Sequence, residues 1–198
     1  MSKTLLPLSK VFSHIISNVM NPLFSLLIFF IYYGNQKMDK TTALFNLILV
    51  ITIIIIPIYT WIYWNVKTGK YTNMDVSDRK QRNSLYVFNF VVMLVYLSIL
   101  FLTHQSSFFI KIIVYVLILM ILMQFSNRYI KSSMHTAFNV FVAILFYTLS
   151  PFWGIFWAGL TVLLGISRII LKRHTIQEVI LGTIIALCVG LIYINNIF

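Results

Sequence analysis

Cysteine and acidic side chains are nearly missing from this chain. Its one cysteine, Cys188, permits no internal disulfide and no metal site built on paired thiolates. Asp and Glu together number four in 198 residues, too few to favour a carboxylate-rich divalent-metal mechanism. Charged residues of both signs make up only 10% of the chain, hydrophobic residues make up 60%, and the mean hydropathy is +0.93. That composition excludes a soluble globular domain and points to an integral membrane protein. There is no internal repeat or low-complexity segment, so the expectation is a single domain over 1–198. No small-residue cleavage site follows the first apolar stretch, which is also too long for a signal-peptide core and is read as a retained helix.

What is present is a series of apolar stretches. A spanning helix needs roughly 20 mostly apolar residues, because backbone groups in lipid must satisfy one another within the helix. Seven stretches qualify with varying strength: 11–33, 43–64, 85–103, 108–125, 136–150, 152–171 and 176–197. The fifth is short and shares a tight turn at Ser150-Pro151 with the sixth, and the first carries His14, Asn18, Asn21 and Pro22. The expected fold is an all-α transmembrane bundle of six or seven spans.

The formal net charge is +11. A nucleic-acid partner would require the basic residues to form a water-facing stripe, whereas here they sit in short loops. With seven spans, one membrane face receives Lys3, Lys10, Lys67, Lys70, Arg79, Lys80, Arg82, Arg128, Lys131, Arg168, Lys172 and Arg173. The other receives Lys37 and Lys40, with Lys111 just inside a span. The positive-inside rule accounts for much of this asymmetry and turns the basic face to the cytoplasm. It does not require Asp75, Asp78, His135, His174 and Glu178 on the same face, some of them at helix ends where ionisable groups are costly.

Those residues fall in three clusters. "MDVSDRKQRN", 74–83, supplies Arg79, Lys80 and Arg82. "NRYIKSSMHT", 127–136, supplies Lys131, Ser133 and His135 where the fifth span opens, and a helix N-terminus favours bound anions. "GISRIILKRHTIQEVILG", 165–182, supplies Ser167, Arg168, His174 and Glu178. If a helix has begun at His174, Glu178 shares its face and fixes the imidazole in one tautomer. Parity of the spans brings the three clusters to one surface. Cations, two histidines and a carboxylate suit phosphoryl transfer, in which cations stabilise the equatorial oxygens while one group attacks and another protonates the leaving oxygen.

"SRIILKRHTIQE" resembles the third signature of the type 2 phosphatidic acid phosphatase superfamily, SRxxxxxHxxxD, with Glu178 in place of Asp. "SSMH", 132–135, is similar to the second signature, PSGH, with Ser132 for Pro and Met134 for Gly. Arg82 or Arg79 stands where the first signature, KxxxxxxRP, has its arginine, but its lysine and proline are not matched. The pattern also resembles a bacterial branch with DRxxR, K-x-S-x-H and H-T-x-x-E-V in the three places. The resemblance implies a metal-independent, cofactor-free lipid-phosphate phosphohydrolase of a bacterial inner membrane, acting through a phosphohistidine. His174 would attack, Glu178 orient it and His135 protonate the leaving group. Arg168, Arg82, Arg79, Lys80, Ser133 and Lys131 would bind the phosphoryl oxygens. Candidate substrates are phosphatidic acid, phosphatidylglycerol phosphate, a polyprenyl (pyro)phosphate or a lipid A phosphate. Family members usually work on the outer face, opposite to the side the charge count favours. Transfer of the phosphoryl group to another lipid, and a noncatalytic scaffold or transporter, are the alternatives.

Overall fold

A computed structural model describes residues 8–196. Lys3 and position 197, the expected end of the last span, lie outside the described residues. In chain order the helices are α1 (Leu8–Val19), α2 (Pro22–Lys37), α3 (Lys40–Leu49), a π-helical segment (Val50–Ile55), α4 (Ile56–Lys67), α5 (Arg82–Leu102), α6 (Ser107–Tyr129), α7 (Met134–Leu149), α8 (Pro151–Ile170) and α9 (Ile176–Asn195). No strand occurs among the described residues. Among the described residues five stretches are long and apolar enough to cross a bilayer: Lys40–Lys67, Arg82–Leu102, Ser107–Tyr129, Pro151–Ile170 and Ile176–Asn195. The pair α1 and α2, bent by 55°, makes a sixth when taken together. The protein is an all-α, multi-pass integral membrane protein. At 16 residues, α7 reaches about 24 Å, short of the ~30 Å hydrocarbon core.

Two compact units are formed, one from the described residues of Met1–Phe29 and Ile130–Phe198, the other from Phe30–Tyr129. In the second unit Lys40–Lys67 runs as a single rod through the π segment. Pro57 explains the widening: its ring would clash with the carbonyl four residues back, and the Ile56 N–H bonds instead to Ile51 O, five residues back. The unit's polar loop is anchored by buried Tyr71 and Val76 packed with Leu85.

In the first unit the expected continuous helix over 11–33 is broken at Asn21-Pro22. Proline cannot donate, so the break leaves backbone groups needing other partners. Asn21 Oδ1 accepts the Leu23 N–H at 3.0 Å. The Met20 carbonyl accepts from Asn139 Nδ2 of α7 at 2.9 Å. That same buried amide accepts through Oδ1 from the Ser25 hydroxyl at 2.8 Å and the Trp157 indole N–H at 3.1 Å, so α2, α7 and α8 meet on one side chain. Phe146 packs against Phe29 and Trp157 beside it. Helix α1 turns Ser13 and Ser17 inward while Leu8, Phe12 and Ile15 are exposed, the arrangement expected where the surrounding medium is lipid.

Gly154 sets the α7–α8 hairpin, since a Cβ there would meet the Tyr147 backbone at 2.5 Å. Replacing Asn139 by Leu keeps the volume but strands the Trp157 donor and the Met20 carbonyl. The expected loss is about 1–3 kcal/mol for each buried group left unpaired, read as a lower Tm in detergent; an unchanged Tm would show that Asn139 does not join these helices.

Candidate functional site

The first unit brings the second and third sequence clusters together through helix termini. Helix α8 ends in a Schellman turn: the Lys172 N–H bonds to Ile169 O at 2.9 Å and the Arg173 N–H to Arg168 O at 3.0 Å. Lys172 takes the left-handed conformation, φ 53°, that this turn demands and that glycine usually supplies. The chain therefore reverses sharply, and the His174 N–H also reaches Arg168 O, at 3.3 Å.

His174 stands one residue before the N-cap of α9 and is not part of the helix. The shared helix face considered from sequence is replaced by a capping geometry. Thr175 and Glu178 form a capping box: Thr175 Oγ1 accepts the Glu178 N–H, and Glu178 Oε2 turns back to accept the Thr175 N–H at 3.2 Å. The same Oε2 lies 2.7 Å from His174 Nδ1. A carboxylate oxygen accepts, so Nδ1 carries a proton, and in the neutral imidazole the lone pair then falls on Nε2. The imidazole side chain has 0% exposure and the carboxylate 18%.

Ser133 caps α7, its hydroxyl accepting the Thr136 N–H and lying 2.9 Å from Thr136 Oγ1. Its N–H donates to Glu178 O at 2.9 Å, which joins the start of α7 to the first turn of α9. Gly182 permits that approach, because a Cβ there would stand 2.7 Å from Ser133 O. Lys131 Nζ donates to Arg173 O at 2.9 Å, tying the second cluster to the turn of the third. His135, half-buried, lies in the first turn of α7. Met134, where the signature has glycine, is the first helical residue and has no positive φ, so no glycine conformation is needed there.

Arg168 is 2% exposed, and its Nη1 donates to Ser17 Oγ of α1 at 2.8 Å. Ser17 was not singled out from sequence, and nothing local marks it: its partner is 151 residues away. The Thr-x-x-Glu spacing of 175–178, by contrast, is a readable capping signature, and Gly182 follows Glu178 by one helical turn.

The first cluster belongs to the second unit. Arg79 gives its guanidinium to the C-terminal carbonyls of α6: Nε to Asn127 O at 2.7 Å, Nη1 to Tyr129 O at 3.2 Å and Nη2 to Arg128 O. Arg82 is 4% exposed and its Nε donates to Val76 O at 3.0 Å. Val76 presents that carbonyl from a left-handed conformation, φ 45°, which is strained for a β-branched residue. Lys80 is exposed, its backbone N–H bonded to Asp78 Oδ1 at 2.8 Å.

Among known proteins, the family model described as the PAP2 superfamily matches residues 122–198, a segment holding the second and third clusters but not Arg79, Lys80 or Arg82. No curated protein and no solved structure gives a significant match.

Gly182→Ala tests the joint between α7 and α9. The added methyl is expected to push Ser133 away from Glu178, cost about 1–3 kcal/mol and speed hydrogen exchange at the Ser133 amide. Wild-type exchange at that amide would show that the contact is not needed.

Proposed function

We propose that this chain, whose residues 122–198 belong to the PAP2 superfamily, is a membrane lipid-phosphate phosphohydrolase of a bacterial inner membrane that works through a phosphohistidine. The observation that carries the reading is the 2.7 Å contact between His174 Nδ1 and Glu178 Oε2 on a buried imidazole. An imidazole whose Nδ1 proton is held by a carboxylate has a defined tautomer and a nucleophilic Nε2.

In the proposed reaction His174 Nε2 attacks phosphorus and the P–O bond to the lipid breaks. His135 delivers its proton to the departing oxygen. Water then attacks the phosphohistidine, His135 takes the proton, and phosphate leaves with Nε2 restored. Negative charge on the phosphoryl oxygens grows during both steps. Arg168, whose Nη1 donates to Ser17 and whose carbonyl accepts the Arg173 and His174 N–H groups, is the cation proposed to meet it. Ser133 and the opening amides of α7 offer hydrogen-bond donors of the kind that bind anions at helix starts. Lys131 completes the phosphate-binding set proposed within the first unit; Arg82, Arg79 and Lys80, expected in that set from sequence, belong to the second unit, where the Arg79 guanidinium caps α6. No step as written uses a metal, so turnover is expected to survive chelation.

The substrate class follows from the medium. Residues at the ends of α7, α8 and α9 face the headgroup level, where a lipid phosphate presents its charge and keeps its hydrocarbon in the bilayer.

Phosphate release from a lipid phosphate by purified protein is the direct test. His174→Ala and His135→Ala are each expected to slow release by at least 10²- to 10⁴-fold, and denatured wild-type protein quenched during turnover should carry acid-labile phosphate that His174→Ala lacks. Normal turnover in both variants would overturn the mechanism. Consumption of lipid phosphate with the phosphoryl group recovered on a second lipid would establish transfer in place of hydrolysis.

A separate variant addresses the arginine. Ser17→Ala removes the hydroxyl that accepts from Arg168 Nη1 and is expected to lower kcat/KM about tenfold through KM, with Ser17→Thr restoring most of it. Equal kinetics in Ser17→Ala would mean that α1 does not position the arginine.

A further inference from the structure

The second unit carries a groove of about 350 Å³ between α5 and α6. Its apolar part is made by Val87, Phe90 and Val91 of α5 and by Met120, Ile121 and Phe125 of α6. Val87, Val91, Ile121 and Phe125 are exposed, so the groove opens sideways into the medium, which around two membrane spans is lipid. From Met120 to Arg128, α6 rises about 12 Å, most of the ~15 Å depth of one leaflet's hydrocarbon.

The rest of the lining is polar: Arg128, Gln124 and Tyr86. Among the described residues, the exposed Arg128 guanidinium makes no hydrogen bond or ion pair, and neither does the carboxamide of half-buried Gln124. Tyr86 is 1% exposed, and its hydroxyl has no hydrogen-bond partner. A cation in the last turn of a helix ordinarily serves the terminal carbonyls. Here Arg79 does that, taking the carbonyls of Asn127, Arg128 and Tyr129. The Arg128 side chain is left over from the closing of α6. The positive-inside rule accounts for a cation at this level, but not for an amide and a buried phenol beside it with nothing to bond.

Guanidinium, amide and phenol all donate hydrogen bonds. A ligand that satisfies them together is anionic and rich in acceptor oxygens, and the remainder of the groove takes hydrocarbon. The lining has no carboxylate to repel an anion and no imidazole, thiol or carboxylate to attack one. It is built to hold a lipid phosphate and not to process it.

We propose that the α5–α6 groove binds one resident anionic phospholipid, whose phosphodiester meets Arg128, Gln124 and Tyr86 and whose acyl chain lies along Val87, Val91 and Ile121 toward Met120. None of these residues belongs to the His174 site, and the assignment does not rest on the phosphohydrolase reading. Because the lipid touches both helices, its binding clamps α5 to α6 and stabilises the folded chain in proportion to occupancy.

The test is titration of the purified full chain in detergent with dioleoyl phosphatidylglycerol or dioleoyl phosphatidylcholine, which share acyl chains and differ in net charge. Native mass spectrometry counts the lipids retained, and Tm follows their effect on stability. One phosphatidylglycerol per chain is expected at concentrations about tenfold below those needed for phosphatidylcholine, with a rise in Tm. Arg128→Gln should abolish that preference, Arg128→Lys should keep part of it, and Ile121→Trp should fill the groove and remove the retained lipid. Arg128 and Ile121 are exposed, so both variants should match the wild-type Tm without lipid. His174→Ala should bind as the wild type does.

Equal retention of the two lipids by the wild type would mean that ordinary bilayer lipid covers the groove, and would overturn the proposal. So would wild-type retention of phosphatidylglycerol in both Arg128→Gln and Ile121→Trp, or its loss in His174→Ala, which would put the lipid at the other site. A lipid-free dimer that Ile121→Trp dissociates would assign the groove to a second copy of the chain instead.

Discussion

Every helix that stops, bends or begins inside this protein leaves backbone donors and acceptors that lipid cannot satisfy. That constraint governs the first unit more than the packing of any particular apolar pair, because an unpaired polar group in hydrocarbon costs several kcal/mol. The break at Asn21-Pro22 is possible because Asn139 accepts the duty of bonding the Met20 carbonyl. Having been buried for that purpose, the amide must satisfy its own oxygen, and Ser25 and Trp157 supply the donors. One broken turn thereby fixes how α2, α7 and α8 meet. Phe29, Phe146 and Trp157 fill the space around it with apolar volume.

The same constraint produces the geometry of the candidate site. Glu178 is first a capping residue: its carboxylate turns back to the start of α9 because the Thr175 N–H needs an acceptor. Turned back, it is aimed at the residue before the cap, and that residue is His174. The Schellman turn at the end of α8 does the matching work on the other side, using Lys172 in a left-handed conformation to bring His174 back to Arg168 O. Orientation of the His174 imidazole and helix termination are therefore one set of hydrogen bonds. A glutamate in place of the signature's aspartate fits this arrangement, since a capping box is built with Glu or Gln at that position. Lys172 and Arg173 take structural parts in it, one as the turn's left-handed residue and the other through a carbonyl that holds Lys131.

Much of the fold was legible because membrane spans announce themselves by length and hydropathy, as Arg82–Leu102, Ser107–Tyr129 and Pro151–Ile170 do. The third cluster was legible because its parts are close in sequence and its spacing matches turn and cap geometry. What stayed hidden depends on partners far apart in the chain. Ser17 reads as one more serine in an amphipathic helix until Arg168 is found against it. Arg79 reads as a phosphate ligand by its charge, yet its guanidinium closes the end of α6 some 48 to 50 residues on. The bend at Pro22 was signalled by proline, but the amide that makes the bend tolerable was not. Local rules describe which groups need partners, and only the fold says which partners they get.

The departures from the family signatures in "SSMH" follow the same logic. Glycine before the histidine would matter if the backbone there needed a left-handed conformation or a very close approach. Met134 instead begins α7 in ordinary helical geometry, and the close approach is made from the opposite side, by Gly182 against Ser133 O. The steric demand on Ser133 therefore falls on the second turn of α9, where a glycine meets it. Among the small residues of the last two helices, Gly182 serves the polar end of the bundle, and Gly165 lets α8 approach Val179 of α9 closely.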